Sequence, residues 1–132
     1  MELNLPMPPT DNHIYSNAPF GRVLSSAAKR YKTLVRTAIG KLATSHDLSF
    51  RNHIPYYVRL TIFMDLYTKG WPKKAMWKYR KVDATNRTKL LLDAISEAIG
   101  VDDRHFVTVL VRKEEAKDEQ YVRVSVEEMC PR

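Results

Sequence analysis

The chain has 132 residues, 44% of them apolar. That is enough for one compact core and too few for two ordinary domains, so a single domain over residues 1–132 is expected. It carries 22 Lys and Arg against 15 Asp and Glu, a formal charge of +7, which suits a polyanionic partner without by itself demanding one. A lone cysteine, Cys130, excludes an internal disulfide and a cysteine zinc cluster, and the four histidines, at 13, 46, 53 and 105, have no ligand spacing.

The chain opens with MELNLPMPPTDN, which has an acidic second residue, adjacent prolines and no apolar h-region. It is unlike a signal peptide, and no apolar run approaches the roughly 18 residues of a bilayer span. A cytoplasmic protein with no membrane partner is expected. Glu2 to Leu5 fit a short first strand, stopped by LPMPP, and a loop is expected from there to about Leu24. Ser25 and Ser26 offer an N-cap for SSAAKRYKTLVRTAIGKLA. There Ala28, Tyr31, Leu34, Val35, Ala38, Ile39 and Leu42 recur at helical spacing, and Lys29, Lys32, Arg36 and Lys41 read as solvated charges.

After a polar connector, YYVRLTIFMDLY reads as a long strand between Pro55 and Gly70, with Val58, Leu60 and Ile62 alternating with Tyr57, Arg59 and Thr61. A second helix is expected from near Thr85 to a stop at Gly100. Its Leu91, Leu92, Ala94, Ile95, Ala98 and Ile99 share one face, and Lys89, Asp93, Ser96 and Glu97 share the other. HFVTVLVRKEEA and QYVRVSVEEM complete the chain as two strands joined by a charged turn at Lys117 to Glu119. The order strand, helix, strand, helix, strand, strand predicts an α+β (mixed α/β) domain, a four-stranded sheet flanked by two main helices.

The charge is unevenly placed. Residues 69–89 hold Lys69, Lys73, Lys74, Lys78, Arg80, Lys81, Arg87 and Lys89 against Asp83 alone, which accounts for the whole surplus of +7. A solvated basic loop, about 69–82, is the plain reading. Trp71, Trp77 and Tyr79 among the cations favour nucleic acid, since aromatic faces and cations together serve base stacking and phosphate contact. Core packing is the competing role for the tryptophans.

Asp83 precedes the second helix, and Asp102 and Asp103 follow it. Taken alone, Asp83 fits a helix N-terminal charge and VDD fits a polar turn. A helix of some 15 residues spans about 22 Å, so helix geometry alone does not bring these acids together.

Three segments in order carry a resemblance: LNLPMPPTDNH, GRVLSSAAKRYK and DATNRTKLLLDAISEAIGVDD. They are similar to the opening strand and LPxPPSxN loop, to the GR-x-x-x-S turn into the first helix, and to the DxDNxxK, LLDAL, glycine and DD pattern of the RusA family of Holliday junction resolvases. The resemblance implies a small homodimeric endodeoxyribonuclease of bacteria or their prophages, acting on branched DNA in recombination and repair. It implies Mg²⁺ as cofactor, with Mn²⁺ as a substitute, and no small-molecule cofactor.

Carried over by position, Asp83 takes the first aspartate of DxDN, Asn86 its asparagine, Lys89 the required lysine and Asp103 the second residue of the DD pair. Asp83 and Asp103 are then the expected metal ligands, with Asp102 and Thr85 as further oxygens. Lys89 joins them in catalysis, and Lys69, Lys73, Lys74, Trp77, Lys78, Arg80, Lys81, Asn86 and Arg87 form the DNA-binding set. Thr85 departs from the pattern: it stands where the family carries a second carboxylate, and a hydroxyl brings Mg²⁺ an oxygen without a charge. Weaker metal binding is expected. Two rivals follow, a junction-binding relative with weakened or lost cutting and a basic nucleic-acid adaptor.

Overall fold

The structure is a computed structural model that describes residues 1–9, 15–18, 21–66 and 85–129. Among the described residues, six strands and two long helices follow in the order β1 (Glu2–Pro6), β2 (Tyr15–Ala18), β3 (Gly21–Leu24), α1 (Ser26–His46), β4 (Tyr56–Met64), α2 (Thr85–Ile99), β5 (Phe106–Glu115) and β6 (Tyr121–Glu128). The main sheet has four strands in the order β1-β6-β4-β5, and the architecture is the α+β one that the sequence predicts.

The alternation in β4 decides which face is covered. Tyr56, Val58, Leu60, Ile62 and Met64 are buried, while Arg59 is exposed. On β6, Val122, Val124 and Val126 join the same core, and both helices lay their apolar stripes on it through Ala28, Tyr31, Val35 and Ile39 of α1 and Leu90, Leu91, Ala94 and Ile95 of α2. The covered stripe of α1 is narrower than its spacing predicts: Leu34 is 41% exposed, because an α-helix on a sheet hides only the residues nearest its line of contact.

Local signals set the helix ends. Ser25 Oγ accepts from the Ala28 N–H at 3.2 Å, the N-cap expected of it. The helix runs to His46, past the expected end near Ala43, and Thr44 and Ser45 donate back to the carbonyls of Gly40 and Lys41. Polar side chains with i−4 partners let the helix continue through what reads as connector. Asp47 then closes it at φ 51°, the left-handed conformation in which Asp is among the better tolerated residues.

Two further departures appear. The segment expected as loop up to Leu24 contains the β2–β3 hairpin, paired from Tyr15↔Leu24 to Ala18↔Gly21. It is held by backbone pairing between two four-residue strands, too short to show an alternating pattern. And β4 ends at Met64, three residues before the expected Tyr67.

β4 pairs with β5 in parallel and with β6 antiparallel. A parallel neighbour requires a crossover, and α2 lies in it. Burial of β1 at the edge ties both ends of the fold together: Leu5 is 2% exposed, and the Tyr31 hydroxyl donates to the Pro6 carbonyl at 2.8 Å.

Candidate active site

The chain leaves α2 through a tightly specified turn. Gly100 has φ +72°, a left-handed conformation that glycine adopts without steric cost, and its N–H and that of Val101 both donate to the Ser96 carbonyl, at 3.0 and 3.2 Å. The Ser96 hydroxyl donates to the Val101 carbonyl at 2.6 Å, and the Val101 side chain is 1% exposed. Ser96 therefore grips the turn from both sides, and the next two residues are Asp102 and Asp103.

Asp102 caps the 3₁₀ turn Asp103–His105: its Oδ1 accepts from the Arg104 N–H at 3.0 Å. That backbone hydrogen bond holds its carboxyl below the ordinary carboxylate range against the opposing cost of desolvation, and the charge of Arg104, a side-chain hydrogen bond with Asp103 and the charge of His105 add to it. The group stays ionised where a hard cation would need it.

Asp102 and Asp103 line a shallow groove of about 250 Å³ with Asp93, Ser96 and Glu97 of α2 and Lys32 of α1. Burial pushes the Asp93 carboxyl upward, Lys32 and Lys89 pull it down, and Asp103 and Glu97 push it up again. Lys32 reaches across from α1 to Glu97 Oε1 at 2.8 Å, with its side chain only 14% exposed against 49% for Glu97. The groove is thus an acidic cleft with one half-buried counter-cation.

Of the site residues expected from sequence, the structure brings Asp102 and Asp103 into this groove, and Lys89, exposed one turn before Asp93, into electrostatic reach of it. Arg87 lies on the first turn of α2. Asp83 and the expected DNA-binding residues Lys69, Lys73, Lys74, Trp77, Lys78, Arg80 and Lys81 lie outside the described residues, as do the side chains of Thr85 and Asn86.

Asp93 and Lys32 were not expected there. Asp93 was legible in part, since Lys89, Asp93, Ser96 and Glu97 share one stripe of α2. Lys32 reads as a solvated charge because nothing in the sequence of α1 tells which neighbouring helix it will face; the half-buried ion pair with Glu97 corrects that reading.

Asp102 and Asp103 offer the hard anionic oxygens that Mg²⁺ prefers. Among the described residues, no group of three or more His, Cys, Asp or Glu is placed to hold a metal ion, so the described residues supply only part of a ligand set.

Compared with known proteins, the chain matches the family model described as Endodeoxyribonuclease RusA over residues 6–127. No curated protein matches it.

Proposed function

The chain belongs to the endodeoxyribonuclease RusA family, and from that premise we propose that it resolves four-way DNA junctions by paired nicking, as a homodimer with one acidic site per subunit. The observation that carries the reading is the family match across nearly the whole chain, with Asp102 and Asp103 held at the end of α2 in an acidic groove.

In this reading Asp83 and Asp103 are the principal ligands of a divalent cation, Mg²⁺ or Mn²⁺, with Asp102 as a further carboxylate. The bound ion would supply Lewis-acid polarisation of the scissile phosphoryl group and a hydroxide-like water at neutral pH. Lys89, on the exposed face of α2 one turn from Asp93, neutralises charge on the phosphorane as it develops. The water oxygen bonds to phosphorus and the P–O3′ bond breaks, leaving a 5′-phosphate and a 3′-hydroxyl that takes one of the water's protons.

The turn at Gly100 and Ser96 keeps the acids in place before DNA arrives. The basic segment 69–82, with Asn86 and Arg87, grips the backbone of the branched substrate, and the protein works in the cytoplasm on bacterial or prophage DNA.

A labelled four-way junction incubated with Mg²⁺ or Mn²⁺ tests the proposal, with symmetric nicks on opposing strands as the expected products. Thr85, in place of a family carboxylate, favours a second reading in which the junction is bound but not cut. Tight junction binding without nicks in either metal would establish that reading and overturn the nuclease. Equal affinity for duplex, junction and structured RNA would point instead to a general nucleic-acid adaptor.

A further inference from the structure

His53 and His105 are far apart in the sequence, yet the fold sets them against each other. Their ring centroids are 5.9 Å apart, with the ring planes at 87°. The parallel pairing of β4 with β5 brings this about. Tyr56 lies opposite Phe106, so the loop that precedes β4 and the turn that precedes β5 share one end of the sheet.

Each histidine stands on backbone that is held in place. The His105 N–H donates to the Asp102 carbonyl at 3.0 Å, within the turn that follows α2. Across from it, the hydroxyl of Tyr56, a residue 1% exposed, accepts from the Arg51 N–H and donates to the Arg51 carbonyl, both at 2.9 Å. The Pro55 carbonyl accepts from the Met129 N–H at 3.0 Å, so the loop 51–55 is pinned at both ends. Between the pins, His53 has φ 73°, a left-handed conformation that a glycine would adopt at lower cost. Asp47, the other non-glycine residue with positive φ among the described residues, closes α1, whereas His53 closes no helix.

We propose that His53 and His105 form a two-histidine clamp for a divalent transition-metal ion of the Zn²⁺, Ni²⁺ and Co²⁺ class, separate from the carboxylates of the acidic groove. Imidazole nitrogen suits these ions, whereas Mg²⁺ takes oxygen ligands. Two imidazoles that share one tetrahedral ion at about 2.0–2.1 Å from each nitrogen have ring centres about 5–6 Å apart. The observed 5.9 Å falls within that range. Packing alone gives little reason for the pair, because His53 is exposed and the contact buries little surface.

Among the described residues, no third His, Cys, Asp or Glu joins the two rings as a ligand, so water fills the remaining positions and the ion stays exchangeable. The clamp has a mechanical effect. His105 ends the turn that Asp102 caps, so an ion held by both rings fastens the turn carrying Asp102 and Asp103 to the pinned loop before β4. A transition-metal ion thereby acts on the acidic groove without entering it.

The untagged full chain, titrated with Zn²⁺ in a calorimeter, tests the clamp. No DNA is present and Mg²⁺ is in excess to occupy carboxylate oxygens, so the result does not depend on nuclease activity. One Zn²⁺ per chain is expected. His53→Asn, which puts another residue tolerated in the left-handed region at that position, and His105→Gln should each weaken Zn²⁺ binding about tenfold or more with the circular dichroism spectrum kept. Co²⁺ added to the wild-type chain should broaden the ring proton signals of His53 and His105 before those of His46, a measurement that decides even where a variant fails to fold. Unchanged Zn²⁺ affinity in both variants, or broadening confined to His13 and His46, would overturn the proposal. So would the absence of Zn²⁺ binding at about 100 µM.

Discussion

Removing one hydroxyl at Ser96 should loosen the turn that presents Asp102 and Asp103. In Ser96→Ala the Val101 carbonyl loses a 2.6 Å hydrogen bond in a partly buried site, while the Gly100 and Val101 N–H bonds to the Ser96 carbonyl are unaffected. Leaving such an acceptor without its partner costs about 1–2 kcal/mol. An unfolding entropy of about 2.1 cal/mol/K per residue, taken over 132 residues, is about 0.28 kcal/mol per degree, so Tm should fall by about 4–7 °C. Differential scanning calorimetry reads this directly. The companion measurement is nicking against Mg²⁺ concentration: a loosened turn should raise the Mg²⁺ needed for half-maximal rate several-fold while the rate at saturation stays near wild type. A Tm change below 1 °C would refute the claim that Ser96 secures the turn. A normal Mg²⁺ dependence beside the expected Tm loss would show that the turn's rigidity does not serve the acids.

Tyr31→Phe removes the donor to the Pro6 carbonyl and should cost about 0.5–1.5 kcal/mol in urea unfolding. Burial pushes the Tyr31 phenol well above its ordinary range, so its neutral form is favoured in the folded state. That contribution is fully present below the unfolded phenol's pKa and is lost as pH rises beyond it; wild-type stability should decline above about pH 10 more steeply than that of Tyr31→Phe. Asp83→Asn and Asp103→Asn should each abolish nicking of a labelled junction while leaving mobility-shift affinity equal or tighter. If five cations of the basic segment meet phosphates, log K for the junction should fall by about 4.5 per tenfold rise in salt, and a slope below about 2 would remove that segment as the main DNA contact.

What was legible in the sequence was what repeats. The period of α1 and α2 and the alternation in β4 and β6 fix which residues are buried, because a core-facing stripe has to recur with the geometry of its element. The β2–β3 hairpin escaped because four-residue strands do not show a period. The last turn of α1 escaped because its Thr and Ser side chains bond back to the helix instead of breaking it.

The acids after α2 were visible as a pair, and the family pattern gave them a role. Asp93 and Lys32 entered the groove only through the packing of α1 against α2, and the distance of that approach is a tertiary quantity that no local spacing encodes. The strand order β1-β6-β4-β5 is likewise set by which edges meet, not by the order in which strands are made.

That order has a kinetic consequence. β1 pairs with β6 from Glu2↔Ser125 to Pro6↔Tyr121, and the Met1 amino group donates to the Val126 carbonyl across a separation of 125 residues. On a ribosome the first strand emerges long before its partner strand β6 exists, and loop closure over such a span is entropically slow. The helices and β4 can gather early from nearby contacts, but the edge strand waits until β6, the last strand, has paired with β4. A pulse of hydrogen exchange during refolding should therefore find the amides of β1 among the last to be protected.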